Sequence, residues 1–96
     1  MKTAAEALTP KGRRTLTISL LAEILETDPS RLRPHDRLRD DLGLDSLQSL
    51  ELLSRLAEEL HIDLPMEDAM ELRTVEDACH FVETTWSARG EERARG

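Results

Sequence analysis

A chain of 96 residues with 39% apolar, 34% charged and 2% aromatic side chains makes one small domain with a thin core, without room for a cleft between two domains. One cysteine excludes an intramolecular disulfide. With no charged-then-apolar leader and no apolar run approaching about 18 residues, the sequence predicts neither a signal peptide nor a membrane span, and the expected compartment is the cytoplasm. The formal net charge of −7 is uneven: residues 35–86 carry −10, residues 1–34 carry +2 and residues 87–96 carry +1. Such an acidic tract repels phosphate backbones and offers no basic, aromatic-studded face, so nucleic acid is excluded as a partner and basic protein surfaces are favoured. Charge alone is equally satisfied by acidic helices that simply keep a small protein dispersed.

Along the chain, residues 1–12 lack an apolar stripe and read as a frayed segment, although Thr9 before Pro10 is a sound helix-start signal. Leu16, Leu20, Leu21, Ile24 and Leu25 recur at helical spacing and predict a first helix over residues 13–26, stopped before Pro29. Residues 27–45 hold Pro29, Pro34 and Gly43 among leucines at 32, 38, 42 and 44, without a helical period. They predict a long loop pinned to the core by those leucines, with a short turn near residues 37–42. Asp45 as N-cap and Gln48 at N3 form a capping-box signature and begin a second helix at Ser46, running to about Leu60. Ile62, Leu64 and Pro65 make an extended connector, residues 66–71 a short third helix, and Thr74 caps a fourth carrying Val75, Ala78, Phe81, Val82 and Trp86. Residues 87–96 read as a charged tail. The expected fold is all-α: a small bundle of three main helices and one short one, spanning residues 13–86, with a long loop between the first two helices.

On a wheel of about 100° per residue, the second helix gathers Leu50, Leu53, Leu56, Ala57 and Leu60 on an apolar arc, with Leu52 at its edge. That arc is read as core. Gln48, Glu51, Arg55, Glu58 and Glu59 lie opposite, and Leu47 falls among them, out of place on an acidic face. Ser46 is the first helical residue, so its hydroxyl lies in the positive field of the helix N-terminus, where an attached anion is stabilised. Gly43, two residues before the cap, permits close backbone approach by a modifying enzyme. The plain alternative is a serine that merely tolerates the N1 position.

The string Asp41-Leu42-Gly43-Leu44-Asp45-Ser46-Leu47, followed by an acidic amphipathic helix and the Ile62-Asp63-Leu64-Pro65 connector, resembles the acyl carrier protein family. The resemblance covers residues 13–86 and includes the helix order, the long first loop and the Thr74-Val75-Glu76-Asp77-Ala78 start of the last helix. It implies a non-catalytic carrier whose Ser46 receives 4′-phosphopantetheine from coenzyme A through a phosphopantetheinyl transferase. The cofactor thiol then holds acyl groups as thioesters for fatty-acid, polyketide or related lipid biosynthesis. By the same resemblance Asp45 and Leu47 flank the attachment point, with Asp45 helping to position metal and coenzyme A in the transferase. Leu47, Leu50, Glu51, Ser54 and Glu58 form the face read by acyl-transferring, condensing or modifying enzymes with basic docking patches. A monomer without membrane or nucleic-acid partners is implied.

Gln48, Ser54, Arg55 and Ala57 depart from the usual family pattern by diluting the acidic face, which favours a specialised carrier over a general one. Gly43-Leu44-Asp45-Ser46 lacks the Gly-Gly form typical of peptidyl carriers, which disfavours an aminoacyl cargo without removing it. A hydrolase would need a Gly-x-Ser-x-Gly elbow after a strand, and neither is present. His35, His61, His80 and Cys79 have no metal-ligand spacing, so no metal site is expected, and Cys79 reads as a small core side chain. The remaining rival is an acidic helical adaptor that never receives a prosthetic group.

Overall fold

The computed structural model describes residues 9–95. Its main elements are α1 (Pro10–Leu25), α2 (Ser46–Leu60) and α3 (Val75–Arg95), with two 3-10 segments at Pro29–Arg31 and Met66–Glu71. Among the described residues the only extended pairing is an isolated antiparallel bridge between Arg37 and Thr74. The architecture is the all-α bundle with a long first loop that the sequence predicts.

α1 begins three residues before the start that the sequence predicts. Thr9 accepts the Gly12 amide on its hydroxyl at 3.0 Å and Pro10 occupies the first turn, where its missing N–H costs nothing. Residues 10–12 are therefore helical rather than frayed, because the cap and proline start the helix without help from packing; residues 1–8 lie outside the described residues. At the other end Glu26 takes a left-handed conformation (φ 55°), and the Thr27 amide closes on the Ala22 carbonyl at 2.9 Å. His61 ends α2 in the same way at φ 54°, with the Ile62 amide on the Ala57 carbonyl at 3.2 Å. Neither helix uses glycine for this, so each stop carries a modest steric cost, which at the end of α2 the burial of Ile62 offsets.

α3 also outruns the sequence reading. The segment read as a charged tail continues as helix to Arg95, because it lacks proline and is rich in alanine, arginine and glutamate, which are strong helix formers.

The core is aliphatic. Leu21, Leu52, Leu53, Leu56, Val75 and Val82 are almost completely buried, and Leu32, Leu38, Leu44, Ile62 and Leu64 join them from the connecting segments. Each fully buried leucine is worth about 1.5–3 kcal/mol relative to exposure. Among the described residues one charged side chain enters the interior: the Arg13 guanidinium reaches across 70 residues to Glu83 with a two-pronged pair at 2.6 and 2.8 Å, and lies 4.7 Å above the Trp86 ring. The pair ties α1 to α3, and the ring covers the guanidinium face.

The long loop is held by α3. The Val75 and Glu76 amides, orphan donors in the first turn of α3, are accepted by the Asp36 and Pro34 carbonyls at 3.0 and 2.9 Å, while the Leu38 amide donates to the Arg73 carbonyl at 2.7 Å. Thr74 caps the same turn by accepting the Asp77 amide at 3.1 Å, and the Asp77 carboxylate in turn accepts the Thr74 amide at 3.2 Å. Loop and helix thus complete each other's backbone hydrogen bonding, which fixes the chain leading into Ser46.

Candidate functional site at the start of α2

Three local devices set Ser46 in place. The first is the turn over Arg37 to Leu44, in which Asp41 and Leu42 amides donate to the Arg37 carbonyl at 2.9 and 3.0 Å, Gly43 to Arg39 at 3.1 Å and Leu44 to Leu38 at 2.8 Å. The Asp41 carboxylate also accepts the Arg37 amide at 2.8 Å, and this bond with the nearby Arg37 guanidinium holds its pKa below the ordinary carboxylate value. The second is Gly43 at φ +72°, a conformation that L side chains rarely adopt; a Cβ there would meet nothing, so backbone freedom is what the position requires. The third is the capping box: Asp45 Oδ1 accepts the Gln48 amide at 2.8 Å and Gln48 Oε1 accepts the Asp45 amide at 3.0 Å.

Ser46 follows as the first residue of α2, exposed. Its Oγ accepts a hydrogen bond from Arg39 Nη2 at 3.2 Å. Asp45 is exposed too, and its Oδ2 has no partner among the described residues. Around this point Arg39, Gly43, Leu44, Asp45 and Ser46 line an open depression of about 350 Å³. Arg39 and Leu44 also belong to a second hollow of about 380 Å³, bordered by Arg37, Leu38, Asp40, Ser49, Leu72 and Arg73.

Residues 17–82 match the family model described as the phosphopantetheine attachment site. The chain is 38% identical over 64 residues to the acyl carrier protein of Thermosynechococcus vestitus, covering 67% of this chain and 79% of that protein. It is also 38% identical over 64 residues to the acyl carrier protein of Bdellovibrio bacteriovorus, covering 67% and 82% of the two chains. The chain belongs to the acyl carrier protein family. Carriers of this family hold 4′-phosphopantetheine covalently.

The residues at the α2 N-terminus fit such a group. A phosphate ester needs an exposed hydroxyl, nearby positive potential and space for the arm to leave; Ser46 Oγ, the α2 amide end with Arg39, and the open depression meet those needs.

The structure redraws the faces of α2. Leu52, Leu53, Leu56 and Leu60 are buried against α1 and the Met66–Glu71 segment, whereas Leu50 is 41% exposed and Leu47 is 77% exposed. The reading of Leu50 as core is thus corrected, and Leu52 moves from the edge to the interior. The physical reason is rotation: the wheel gives an apolar arc wider than its neighbours can cover, and they cover the side centred between Leu56 and Leu60. Leu47, Leu50, Glu51, Ser54 and Glu58 are all exposed and fall within about 100° of one another on the helix. The five residues expected from the sequence to form a partner face therefore share one strip. Arg55 does not: it is half-buried and donates to Glu23 of α1 at 3.2 Å, while Gln48 is committed to the cap.

Sequence reasoning missed Arg39. Seven residues from Ser46, it meets the hydroxyl only because the turn folds back through left-handed Gly43, and no periodicity announces such a contact. Cys79 is buried as expected, which pushes its thiol pKa up and keeps it protonated. Among the described residues, no group of three or more His, Cys, Asp or Glu side chains could hold a metal ion, and no helix is long and apolar enough to cross a membrane.

Proposed function

We propose that Ser46 is the attachment point of 4′-phosphopantetheine and that the chain works as a carrier without catalysing a reaction itself. The observation that carries this reading is the exposed Ser46 hydroxyl on the first residue of α2, inside the stretch that matches the phosphopantetheine attachment family. The bound group supplies a terminal thiol that holds an acyl chain as a thioester. Asp45, with one carboxylate oxygen in the cap and the other unengaged, serves the transferase by helping to place its metal and coenzyme A. Tethering raises the local concentration of cargo at each partner's active site.

Leu47, Leu50 and Ser54 form one side of the docking strip, and Glu51 and Glu58 its charged flank, for acyl-transferring, condensing or modifying enzymes with basic patches. Charge pairs at an exposed rim accelerate encounter more than they tighten the complex, which suits a shuttle that must leave again. Two carboxylates beside two leucines, with Gln48 and Arg55 occupied elsewhere, make a diluted acidic strip, which supports a specialised carrier in fatty-acid, polyketide or related lipid biosynthesis.

The test is incubation of the protein and its Ser46→Ala variant with coenzyme A, magnesium and a broad-specificity phosphopantetheinyl transferase, followed by intact mass measurement. A single 4′-phosphopantetheine increment on the wild type alone is expected. No increment with several transferases on a folded sample overturns the reading in favour of an acidic adaptor, for which Ser46→Ala is silent and charge reversal at Glu51 and Glu58 does the damage.

A further inference from the structure

We propose that Arg39 is the electrostatic partner of the phosphodiester carried by Ser46, holding the root of the arm against the turn that precedes α2; this rests on Ser46 being the attachment point. Arg13 is committed to Glu83, Arg14 to Glu76, Arg55 to Glu23, and Arg37 to Asp40 and Asp41. Arg39, like Arg31, Arg33 and Arg73, forms no ion pair among the described residues, and it differs from those three in that its Nη2 donates to the neutral Ser46 hydroxyl at 3.2 Å. In a stretch carrying ten excess negative charges, a guanidinium spent on a hydroxyl is an incomplete arrangement.

Esterification completes it. In the transfer the Ser46 oxygen bonds to the pantetheine-bearing phosphorus of coenzyme A, the pyrophosphate P–O bond breaks to release adenosine 3′,5′-bisphosphate, and the hydroxyl proton leaves to the transferase or solvent. Oγ becomes a weak acceptor, while two non-bridging oxygens that share a negative charge appear one bond further out. A guanidinium already within reach of Oγ can transfer its N–H donors to those oxygens, and its planar fork suits them. The added charge would otherwise stand beside the Asp45 carboxylate, which the capping box keeps next to Ser46. Arg39 also lines both hollows near Ser46, so an anchored phosphodiester biases the arm toward the loop side of α2 and away from the Leu47 and Leu50 strip.

The test compares apo and loaded forms of the wild type, Arg39→Lys and Arg39→Gln by urea denaturation at low and at about 1 M salt, together with the phosphorus-31 resonance of each loaded protein. Loading is expected to raise the folded-to-unfolded ratio about two- to fivefold more in the wild type than in Arg39→Gln, the gain of one exposed charge-assisted contact. Lysine keeps part of it, high salt removes it, and the phosphorus resonance moves between wild type and Arg39→Gln. An equal apo-to-loaded change in wild type and Arg39→Gln, with an unmoved phosphorus resonance, overturns the proposal. Failure of the wild type to accept the arm is a different result, which strikes the Ser46 assignment itself.

Discussion

Arg13 and Arg39 sit in two regions built on opposite terms. On the α1–α3 side, Arg13 is 4% exposed, its charge met by both oxygens of Glu83 and its flat face by Trp86. At the start of α2, Arg39 is exposed and among the described residues its side chain hydrogen-bonds only to a hydroxyl, in a region with an unengaged carboxylate oxygen and two exposed leucines. The first region spends its polar groups on holding the fold. In the second, the backbone is bonded through the capping box and the turn, while the side chains that project from it are left for other molecules. A carrier needs both: a closed frame, and a reactive point whose partners come and go.

The sharpest way to break this division is to truncate two leucines of α2 that lie one turn apart. Leu53→Ala should cost about 2–5 kcal/mol in urea denaturation, because it opens a cavity in a filled core, whereas Leu50→Ala should cost less than about 0.5 kcal/mol and instead weaken capture by a partner enzyme. Equal losses at the two positions would mean that Leu50 belongs to the frame. Arg13→Ala comes next: it leaves Glu83 without its partner and Trp86 without its cover, with an expected loss of about 2–3 kcal/mol, since Glu83 retains some contact with water. The corresponding Arg39→Ala change should leave the stability of the unmodified protein within about 0.5 kcal/mol.

A smaller effect belongs to the cap. Asp45→Ala removes one half of the capping box and should cost about 1 kcal/mol, read from thermal unfolding, and should also slow arm attachment, whereas Asp45→Asn should preserve stability yet still slow attachment. The smallest is a dependence on acid. Hydrogen bonds from Ser30 to Asp28, from Arg37 to Asp41 and from Arg14 to Glu76 hold those carboxylate pKa values below the ordinary range. A pKa lowered in the folded state gives stability that is present above the unfolded value and lost as pH falls through the folded one. Stability should therefore decline below about pH 4, and Asp41→Asn should flatten that decline by lowering stability slightly near neutrality while leaving it nearly unchanged at low pH.

Much of the frame was legible because it depends on local rules. The Thr9–Pro10 start, the Asp45–Gln48 box and the Thr74–Asp77 cap are short-range hydrogen-bonding patterns, and each forms as its spacing implies. The five-residue strip of α2, by contrast, came from the family resemblance: the wheel by itself set Leu47 on the acidic face and Leu50 on the apolar arc. Where sequence and structure part, the missing information is non-local. Leu50 falls on the apolar arc of the wheel yet faces outward, because a wheel gives the breadth of an arc and not the breadth its neighbours can cover.

By itself, then, the sequence determined the presence and order of the helices, their caps and a serine at a helix start, because these are carried by residues within a few positions of one another, and the order of those local signals along residues 13–86 determined the family. Tertiary structure alone decided which leucines turn outward, that Arg55 is drawn to α1, that Arg13 crosses to Glu83, and that Arg39 meets Ser46. These contacts depend on how the Arg37-to-Leu44 turn folds back and on how the helices rotate against each other. Such angles are fixed by packing over the whole core rather than by any one stretch of chain.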